Sequence, residues 1–409
     1  MAVNLCTLPP EIIDEILSHL KGEDICRVAS CSRQLRLRAL KEHVWKDCAK
    51  RDYSVELDVG AKDSIESHSA RLFYMLVLRK YGFWVGKYLQ RSNFKYYGGL
   101  AIMLYHDWSL YLVILHPPPF PHIERDLQPE ALCKVSLDSA GKINVQSCNS
   151  YGGIESVKLT CSGSNETLEY KEESDPEIDM DVQFSKFKER FGLDHEFFDW
   201  EGVLVTERFH SNMQYIRNGH QTFSRLSMTN LACGFEPISQ GVYKGTYNVH
   251  GIELVHVYYD NASKSIIGRK VTGDPNVPCK EITFQASLVD PIFLPENVLD
   301  LSGIEAYLKN DHMSMDFLDL CSTYVAPTKF DIMDCEYDWD MSDDIFRTKT
   351  WQFKCSCQVS PENFSDPEMI DGVLIVFSKD VFGVIFLEDF GSLIIFRRAE
   401  MRNFCKMIV

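Results

Sequence analysis

Apolar residues recur every three to four positions over the first fifty residues, and this period predicts short amphipathic helices. The first helix begins at Pro9-Pro10, because proline fits the first turn of a helix, and it ends before Gly22. A second helix follows, and Ser32 is placed to cap a third. Three short helices bury little apolar surface, so we expect a neighbouring domain or a partner to stabilise this unit.

The pattern changes further along the chain. Residues 51–92 predict a helical linker, and the almost continuously apolar stretch 71–79 indicates a buried helix within it. After residue 93, short apolar runs alternate with Gly, Pro, Asn and Asp, which predicts strands and turns. The runs are 100–105, 110–115, 142–146, 156–160, 252–259, 266–271, 280–286, 373–377, 381–387 and 392–397. Roughly ten strands with few helices are typical of a barrel or a sandwich.

The predicted fold class is therefore α+β. Helices occupy residues 1–50, a helical linker occupies 51–92, and a mainly β, barrel-like domain occupies 93–409. Inside that domain, 181–198 predicts a helical insertion and the acidic run 166–181 predicts an exposed linker. Residues 310–350 are rich in Asp and have no clear period, so we expect an acidic, flexible insertion there.

Composition narrows the class of protein. The 409 residues include 42 Lys and Arg against 59 Asp and Glu, a net charge of −17, which argues against general nucleic-acid binding but leaves room for a local basic pocket. The apolar runs are too short to span a bilayer, and the N-terminal residues do not resemble a secretory signal. The 14 cysteines have no paired spacing. We expect a soluble, reduced protein of the cytoplasm, with the nucleus as a second location.

The N-terminal helices resemble a known module. LPPEIIDEILSHL, EDICRVASCSRQLR and HVWKDC resemble an F-box, although Gln34-Leu35 stands where many F-boxes have an aromatic residue. The resemblance implies docking on a Skp-type adaptor and, through it, on a cullin and a RING subunit. An ordinary helical hairpin is the alternative. The adaptor contacts that the resemblance implies are Leu8, Pro9, Ile13, Ile16, Leu17, Leu20, Ile25 and Val28.

The remainder of the chain carries a second resemblance. KYYGGLAIML, LYLVILHPPPFPHI, YKGTYNVHGIELV, KVTGDPNVP and VFGVIFLEDFGSL, in this order, resemble the F-box only protein 31 family, over about residues 5–310 and 350–400. That family consists of cyclin-D-binding substrate receptors of cullin ubiquitin ligases. The resemblance implies that a β-barrel binds the C-terminal tail of a client, either a phosphorylated cyclin-D-like tail or an amidated chain end, for ubiquitination and proteasomal degradation.

A barrel mouth is a natural site for a chain end, and several polar residues converge in this part of the sequence. Lys244, Arg269 and Lys270 could hold a carboxylate or a phosphate. Asp274 could accept from an amide and repel a free carboxylate, or it could simply form a turn with Pro275, and both readings stay open. The candidate substrate-binding residues are Tyr243, Lys244, Thr246, Tyr247, His250, Arg269, Lys270, Thr272 and Asp274.

Strand alternation places Tyr243 and Tyr247 on one face, where they could grip a client or belong to the core. Zinc is a further question, because the resembled family has a Cys/His zinc site. Cys148 and Cys161 could supply two ligands, but suitable His partners are missing, so we expect no cofactor.

The sequence has no Gly-x-Ser-x-Gly, no His-Glu-x-x-His and no phosphate-binding loop, and we expect a protein that is not an enzyme. The main alternative is a lipocalin-like barrel that binds a small ligand and is tethered to the ligase by the F-box. A hydrolase with a degenerate site is a weaker alternative.

Overall fold

The computed structural model describes most of the chain outside residues 293–350. The described residues are Leu5, 8–57, 69–91, 96–118, 122–148, 157–162, 167–172, 181–182, 184–185, 188, 209, 220–228, 236–247, 250–292, 351–387 and 393–400. The predicted insertion at 310–350 and most of the predicted helical insertion at 181–198 therefore lie outside the described residues.

Four helices form the N-terminal unit, so the three predicted helices are confirmed and a fourth follows them. They are α1 (Pro10–Ser18), α2 (Gly22–Cys31), α3 (Arg33–Ala39) and α4 (Glu42–Tyr53). Ser32 caps α3 as predicted, since its Oγ accepts the N–H of Leu35 at 3.1 Å. Ile13 and Trp45 are buried between the helices, and the indole N–H of Trp45 donates to the carbonyl of Ala39 at 2.6 Å.

The apolar stretch of the linker is a buried helix. It consists of α5 (Ala70–Leu72), a π-helical segment (Phe73–Leu78), α6 (Arg79–Tyr81) and a 3₁₀ turn (Gly82–Trp84). The Tyr74 hydroxyl donates to a carboxylate oxygen of Asp52 at 2.6 Å, which ties this helix to α4. The linker is not helical throughout, because its residues Tyr88–Arg91 form a strand, β1. That strand needs sheet partners for its backbone hydrogen bonds, and two strands of the first sheet, Gly99–His106 and His220–Arg225, supply them.

Eight antiparallel strands form the first sheet, in the order β5-β4-β3-β2-β1-β8-β7-β6. Its strands are β1 (Tyr88–Arg91), β2 (Gly99–His106), β3 (Ser109–His116), β4 (Gln128–Leu137), β5 (Ile143–Ser147), β6 (Val157–Cys161), β7 (Thr167–Glu172) and β8 (His220–Arg225). One face shares a core with the helices, where Phe73, Trp84 and Leu112 are buried together. Strand β7 corrects the prediction of an exposed linker at 166–181, because Leu168 and Tyr170 alternate inward.

A second set of eight strands closes into a barrel, in the order β10-β11-β12-β13-β14-β15-β16-β9. The strands are β9 (Gly241–Thr246), β10 (Ile252–Asp260), β11 (Ser265–Lys270), β12 (Ile282–Pro291), β13 (Trp351–Val359), β14 (Glu368–Val376), β15 (Val381–Phe386) and β16 (Leu393–Arg398). The barrel closes where Gly245 of β9 pairs with Phe396 of β16. All ten predicted runs overlap strands. These strands belong to two β assemblies and not to a single one, because eight strands are already enough to close a barrel.

The first sheet and the barrel share a junction. Leu100 and Val113 of the sheet pack with Leu254 of the barrel in one apolar cluster. Backbone hydrogen bonds cross it, since the N–H of Gly98 donates to the carbonyl of Thr272, and the N–H of Cys279 donates to the carbonyl of Tyr96. Among the described residues, no helix is both long and apolar enough to cross a membrane.

Candidate functional site

Three ionisable side chains meet inside one end of the barrel, and we call Glu253, Lys270 and Asp274 the buried charge cluster. Glu253 lies on the inward face of β10, together with Val255 and Val257, and Lys270 is the last residue of β11. The ammonium of Lys270 contacts the carboxylate of Glu253 and lies 2.9 Å from Oδ2 of Asp274. All three residues are at most 4% exposed, so their charges interact in a low dielectric.

The two partners of Lys270 decide its ionisation. Burial opposes the charge of Lys270, but Asp274 and Glu253 outweigh it and raise the pKa above its usual value. Burial likewise opposes the charge of Asp274, but Lys270, His250 and the N–H of Val277 lower its pKa to about 2. Lys270 and Asp274 are therefore both charged near neutral pH, and Glu253 is the second carboxyl group in contact with the same ammonium.

Asp274 also shapes the loop after β11. Its Oδ1 accepts the N–H of Asn276 and the N–H of Val277, both at 2.7 Å. The turn reading of Asp274 is thus confirmed, and Asp274 is an ion-pair partner of Lys270 as well. Binding of a client by Asp274 stays a prediction.

Tyr247, the residue after β9, covers the charge cluster. The ammonium of Lys270 lies 3.4 Å from the centroid of the Tyr247 ring, within cation–π distance. The Tyr247 hydroxyl is 2.9 Å from Oγ1 of Thr283, and burial raises the pKa of this phenol. Tyr243 also lies inside the barrel, as strand alternation predicted, and its hydroxyl donates to the carbonyl of Ser239 at 2.7 Å.

The other predicted substrate residues lie apart from this cluster or serve the backbone. Lys244 faces out of the barrel and donates to the carbonyl of Arg125 at 2.6 Å, and burial lowers its pKa to about 8. Arg269 faces outward as well, with its guanidinium carbon 5.6 Å from the ring of Tyr258. Thr246 and Thr272 are buried and accept backbone N–H groups. The predicted basic cluster of Lys244, Arg269 and Lys270 is therefore split between two faces of the barrel wall.

Glu253 was missed by the sequence analysis. It occupies an inward-facing position of β10, on the same face of the strand as the core residues Val255 and Val257. A carboxylate at an inward position was the available signal, because an ionised carboxylate is rarely buried without a partner.

The eight residues predicted to contact the adaptor fall into a buried group and an exposed or half-buried group. Ile13, Leu17 and Ile25 are at most 1% exposed, which corrects their assignment to an interface: they hold the helices together and present no surface. Leu8, Pro9, Ile16, Leu20 and Val28 are exposed or half-buried, and their contact with an adaptor remains a prediction.

Three exposed apolar side chains on these helices were missed. Ile12 is 48% exposed, Leu37 is 63% exposed and Leu40 is 43% exposed. Leu35 and Ala39 are the buried residues of α3, so Leu37 is out of phase with that face, and this offset was visible in the sequence. Three exposed apolar groups on one small helical unit are candidates for a protein–protein contact.

Cys148 and Cys161 are the two cysteines that the sequence offered as zinc ligands. Among the described residues, no group of three or more His, Cys, Asp or Glu could hold a metal ion. Burial raises the pKa of the Cys148 and Cys161 thiols, and the Cys161 thiol donates to the carbonyl of Lys80 at 3.4 Å.

Comparison with known proteins places two families on this fold. Residues 5–51 match the F-box-like family, which covers α1 to α3 and most of α4, and residues 223–403 match the Cyclin D1 binding domain family, which covers every strand of the barrel.

Curated relatives have the same name in several vertebrates. F-box only protein 31-B of Xenopus laevis is 24% identical over 315 residues, which cover 72% of this chain and 56% of that protein. F-box only protein 31 of Homo sapiens is 24% identical over 299 residues, which cover 72% of this chain and 54% of that protein. The chain thus spans little more than half the length of these relatives.

Proposed function

We propose that this protein, which has an F-box-like domain followed by a Cyclin D1 binding domain, is the substrate receptor of a Skp–cullin–F-box ubiquitin ligase. The observation that carries the proposal is the order of the two domains on one folded body. The helical unit presents exposed apolar residues while its core is continuous with that of the first sheet, and the first sheet packs on the barrel.

The proposed role needs no catalytic residue in this chain. A receptor that binds an adaptor with its helices and a client with its barrel raises the effective concentration of the client near the ubiquitin-loaded enzyme. The partners are a Skp-type adaptor, with the cullin and the RING subunit reached through it, and client C-terminal tails such as a cyclin-D-like tail.

The charged groups at this end of the barrel favour a neutral client C-terminus over one with a free carboxylate. The buried charge cluster has two carboxyl groups and one ammonium, and Lys270 is engaged by both Glu253 and Asp274. A free terminal carboxylate would be repelled there, whereas a neutral amide can donate to a carboxylate. We therefore favour an amidated chain end at this position, with a phosphorylated tail as the alternative.

The first experiment tests adaptor binding. We expect the double variant Ile12→Asp with Leu37→Asp to lose co-purification with a Skp-type adaptor by tenfold or more, because two charges replace exposed apolar groups. Leu72→Asp is the matched control: Leu72 is an exposed leucine at 42%, on α5 outside the F-box match, and should leave binding unchanged. Full binding by the double variant would count against the proposal.

The second experiment tests the client. One tail sequence is synthesised as the free acid, the amide and an internally phosphorylated form, and each form is bound to the adaptor-bound protein. We expect tightest binding of the amide, and loss of this preference in Asp274→Asn. Asp366→Asn, an exposed carboxylate near the barrel, is the control. Equal binding of all three forms would contradict the proposal that the buried charge cluster selects an amidated chain end.

The lipocalin-like alternative has less support. In the described part of the barrel, aromatic side chains fill the interior: Phe382 and Phe396 stack with ring centroids 4.7 Å apart, and Phe284 packs against both. A barrel filled in this way leaves little room for an apolar ligand.

A further inference from the structure

A histidine and an arginine face each other on the outer wall of the barrel, and we call His256 and Arg269 the outer pair. The two residues are directly opposite in the antiparallel pairing of β10 with β11. Val255 and Val257 belong to the barrel core, so His256 between them points outward. Side chains at such paired positions have Cβ atoms roughly 4.5–5.5 Å apart, within reach of one shared group.

Both members of the outer pair have a nitrogen that is not satisfied. Nε2 of His256 and Nε of Arg269 are buried and have no hydrogen-bond partner. His256 is 4% exposed, so its ring is shielded from bulk water. A buried polar atom without a partner costs free energy, and a bound water or ion is a usual explanation where one occurs. Two such atoms on facing residues indicate one group that both of them contact.

The described residues around the outer pair supply no negative charge to it. His256 has Val242 opposite it on β9, and its ring stacks on Tyr258 with centroids 5.2 Å apart. The guanidinium carbon of Arg269 lies 5.6 Å from the same Tyr258 ring, which attracts the cation but offers its N–H groups no carboxylate. Burial and the charge of Arg269 lower the pKa of His256, as expected for an imidazole that faces a cation with no anion between them.

The donors of the outer pair match the oxygens of an acidic group. Arg269 and Tyr258 are half-buried, so the outer pair reaches the surface at the guanidinium, whereas His256 lies deeper. The guanidinium has a planar fork of N–H donors, and an imidazole that carries its proton on Nε2 donates from there without a positive charge.

We propose that the outer pair binds one acidic group, a phosphate or a carboxylate, with Arg269 and His256 both donating to its oxygens. Of the three basic residues that the sequence analysis grouped as anion-binding, Lys270 is engaged by two carboxyl groups and Lys244 by the carbonyl of Arg125. Arg269 therefore has this role with a partner, His256, that the sequence analysis missed. That the acidic group belongs to a client tail rests on the proposed receptor function, and a free anion is the other source.

The test titrates the full chain with inorganic phosphate at constant ionic strength. Apparent affinities are taken from the rise of the unfolding temperature with phosphate concentration, since a ligand that binds the folded state stabilises it. We expect saturable binding that Arg269→Gln weakens by tenfold or more. Arg225→Gln is the matched control, because it removes an exposed guanidinium 5.5 Å from the ring of Phe83, and it should bind phosphate like the unmodified protein. Absence of binding, or equal binding by Arg269→Gln, would overturn the proposal.

Arg269→Lys guards against a folding defect. It keeps the positive charge and loses the fork, so we expect binding between that of the unmodified protein and that of Arg269→Gln. If Arg269→Gln shows no cooperative unfolding, this variant decides, and affinity equal to that of the unmodified protein overturns the proposal.

The role of His256 has its own measurement. In protein labelled with ¹³C at the histidine rings, the signal of His256 is the one that disappears in His256→Gln. Phosphate should shift this signal with the apparent affinity of the thermal titration, and the signal of the exposed His19 should not move. An unmoved His256 signal at saturating phosphate would overturn its place in the site.

The source of the acidic group is decided with the internally phosphorylated tail peptide. If Arg269→Gln weakens binding of both the peptide and inorganic phosphate, the site takes a phosphate group of a tail. If it weakens inorganic phosphate alone, the site takes a free anion. The phosphate titration needs neither adaptor nor client, so its failure is distinguishable from failure of the proposed receptor function.

Discussion

Two regions at the same end of the barrel bury charge in different ways. In the buried charge cluster, Lys270 contacts two carboxylates, and Asp274 is further satisfied by two backbone N–H groups. At the junction, the guanidinium of Arg91 borders a small cavity between two β assemblies, whose lining includes Thr272 and Gly273 of the loop after β11. The first arrangement is closed around its own charges, whereas the second leaves space beside one of them.

The difference predicts unequal contributions to the stability of the fold. Charges that satisfy one another contribute to folding, and removal of one leaves the others uncompensated in a low dielectric. The basic residues that sequence reasoning grouped together thus have unequal roles.

The largest effect is expected from Lys270→Met. This change leaves Glu253 and Asp274 buried without their cation, and we expect a loss of about 3–5 kcal/mol in the free energy of unfolding, measured by denaturant titration. Lys354→Met, at an exposed position of β13, should change it by less than about 0.5 kcal/mol. A small effect of Lys270→Met would mean that the cluster is not closed in solution.

The second effect is a dependence of the free energy of unfolding on pH, in which His256 and Asp274 act in different pH ranges. Burial, followed by the charge of Arg269, lowers the pKa of His256 on the outer face of β10 to about 4. The unfolded chain binds this proton more readily, so the contribution of His256 is complete above about pH 6.5 and is lost as the pH falls towards 4. The change is about 3 kcal/mol across that window. Asp274 acts lower, since its stabilising contribution is lost between about pH 4 and about pH 2.

Unfolding midpoints measured against pH check this separation. His256→Gln should flatten the curve between pH 6.5 and 4 and leave the more acidic limb in place. His19→Gln, an exposed histidine on the helical unit, is the control and should leave the curve as it is. An unchanged slope in His256→Gln would assign the acid sensitivity to other groups.

The smallest effect concerns the loop that both regions share. Gly273 has φ of +68°, and a Cβ there would lie 2.2 Å from the backbone nitrogen of Cys279. Gly251 has φ of +75° with open space around it. Gly273→Ala should therefore cost about 1–3 kcal/mol more than Gly251→Ala, because it adds a clash to the same backbone strain. Equal costs would show that the loop shifts freely.

Much of the fold could be predicted from the sequence, because continuous apolar runs mark central strands. Two of the strands that were missed alternate instead: β13 turns Phe353, Cys355 and Cys357 inward with polar residues between them, and β7 does the same with Leu168 and Tyr170. A search for runs overlooks such strands. The division into two assemblies could not be predicted, since it depends on long-range pairing such as that of Gly245 with Phe396.

The candidate site could be predicted only in part. The turn chemistry of Asp274 is local, and Lys270 lies four residues away, so both were visible in the sequence. The partner Glu253 and the cavity residue Arg91 come from other strands, and nothing local indicates that they approach the same loop. Burial of Ile13, Leu17 and Ile25 was equally hidden, because periodicity gives the apolar face of a helix but not what covers it.

Closure of the barrel has a consequence for synthesis of the chain. Strand β9 pairs with β16, about 150 residues later, so at roughly 5–20 residues per second the ribosome needs on the order of 10–30 s to supply the closing strand. The helical unit and the first sheet are complete before then, since β8 ends at Arg225. A message that stopped before residue 393 would yield a chain with intact helices and two unpaired strand edges, at β9 and β15, and such edges promote aggregation.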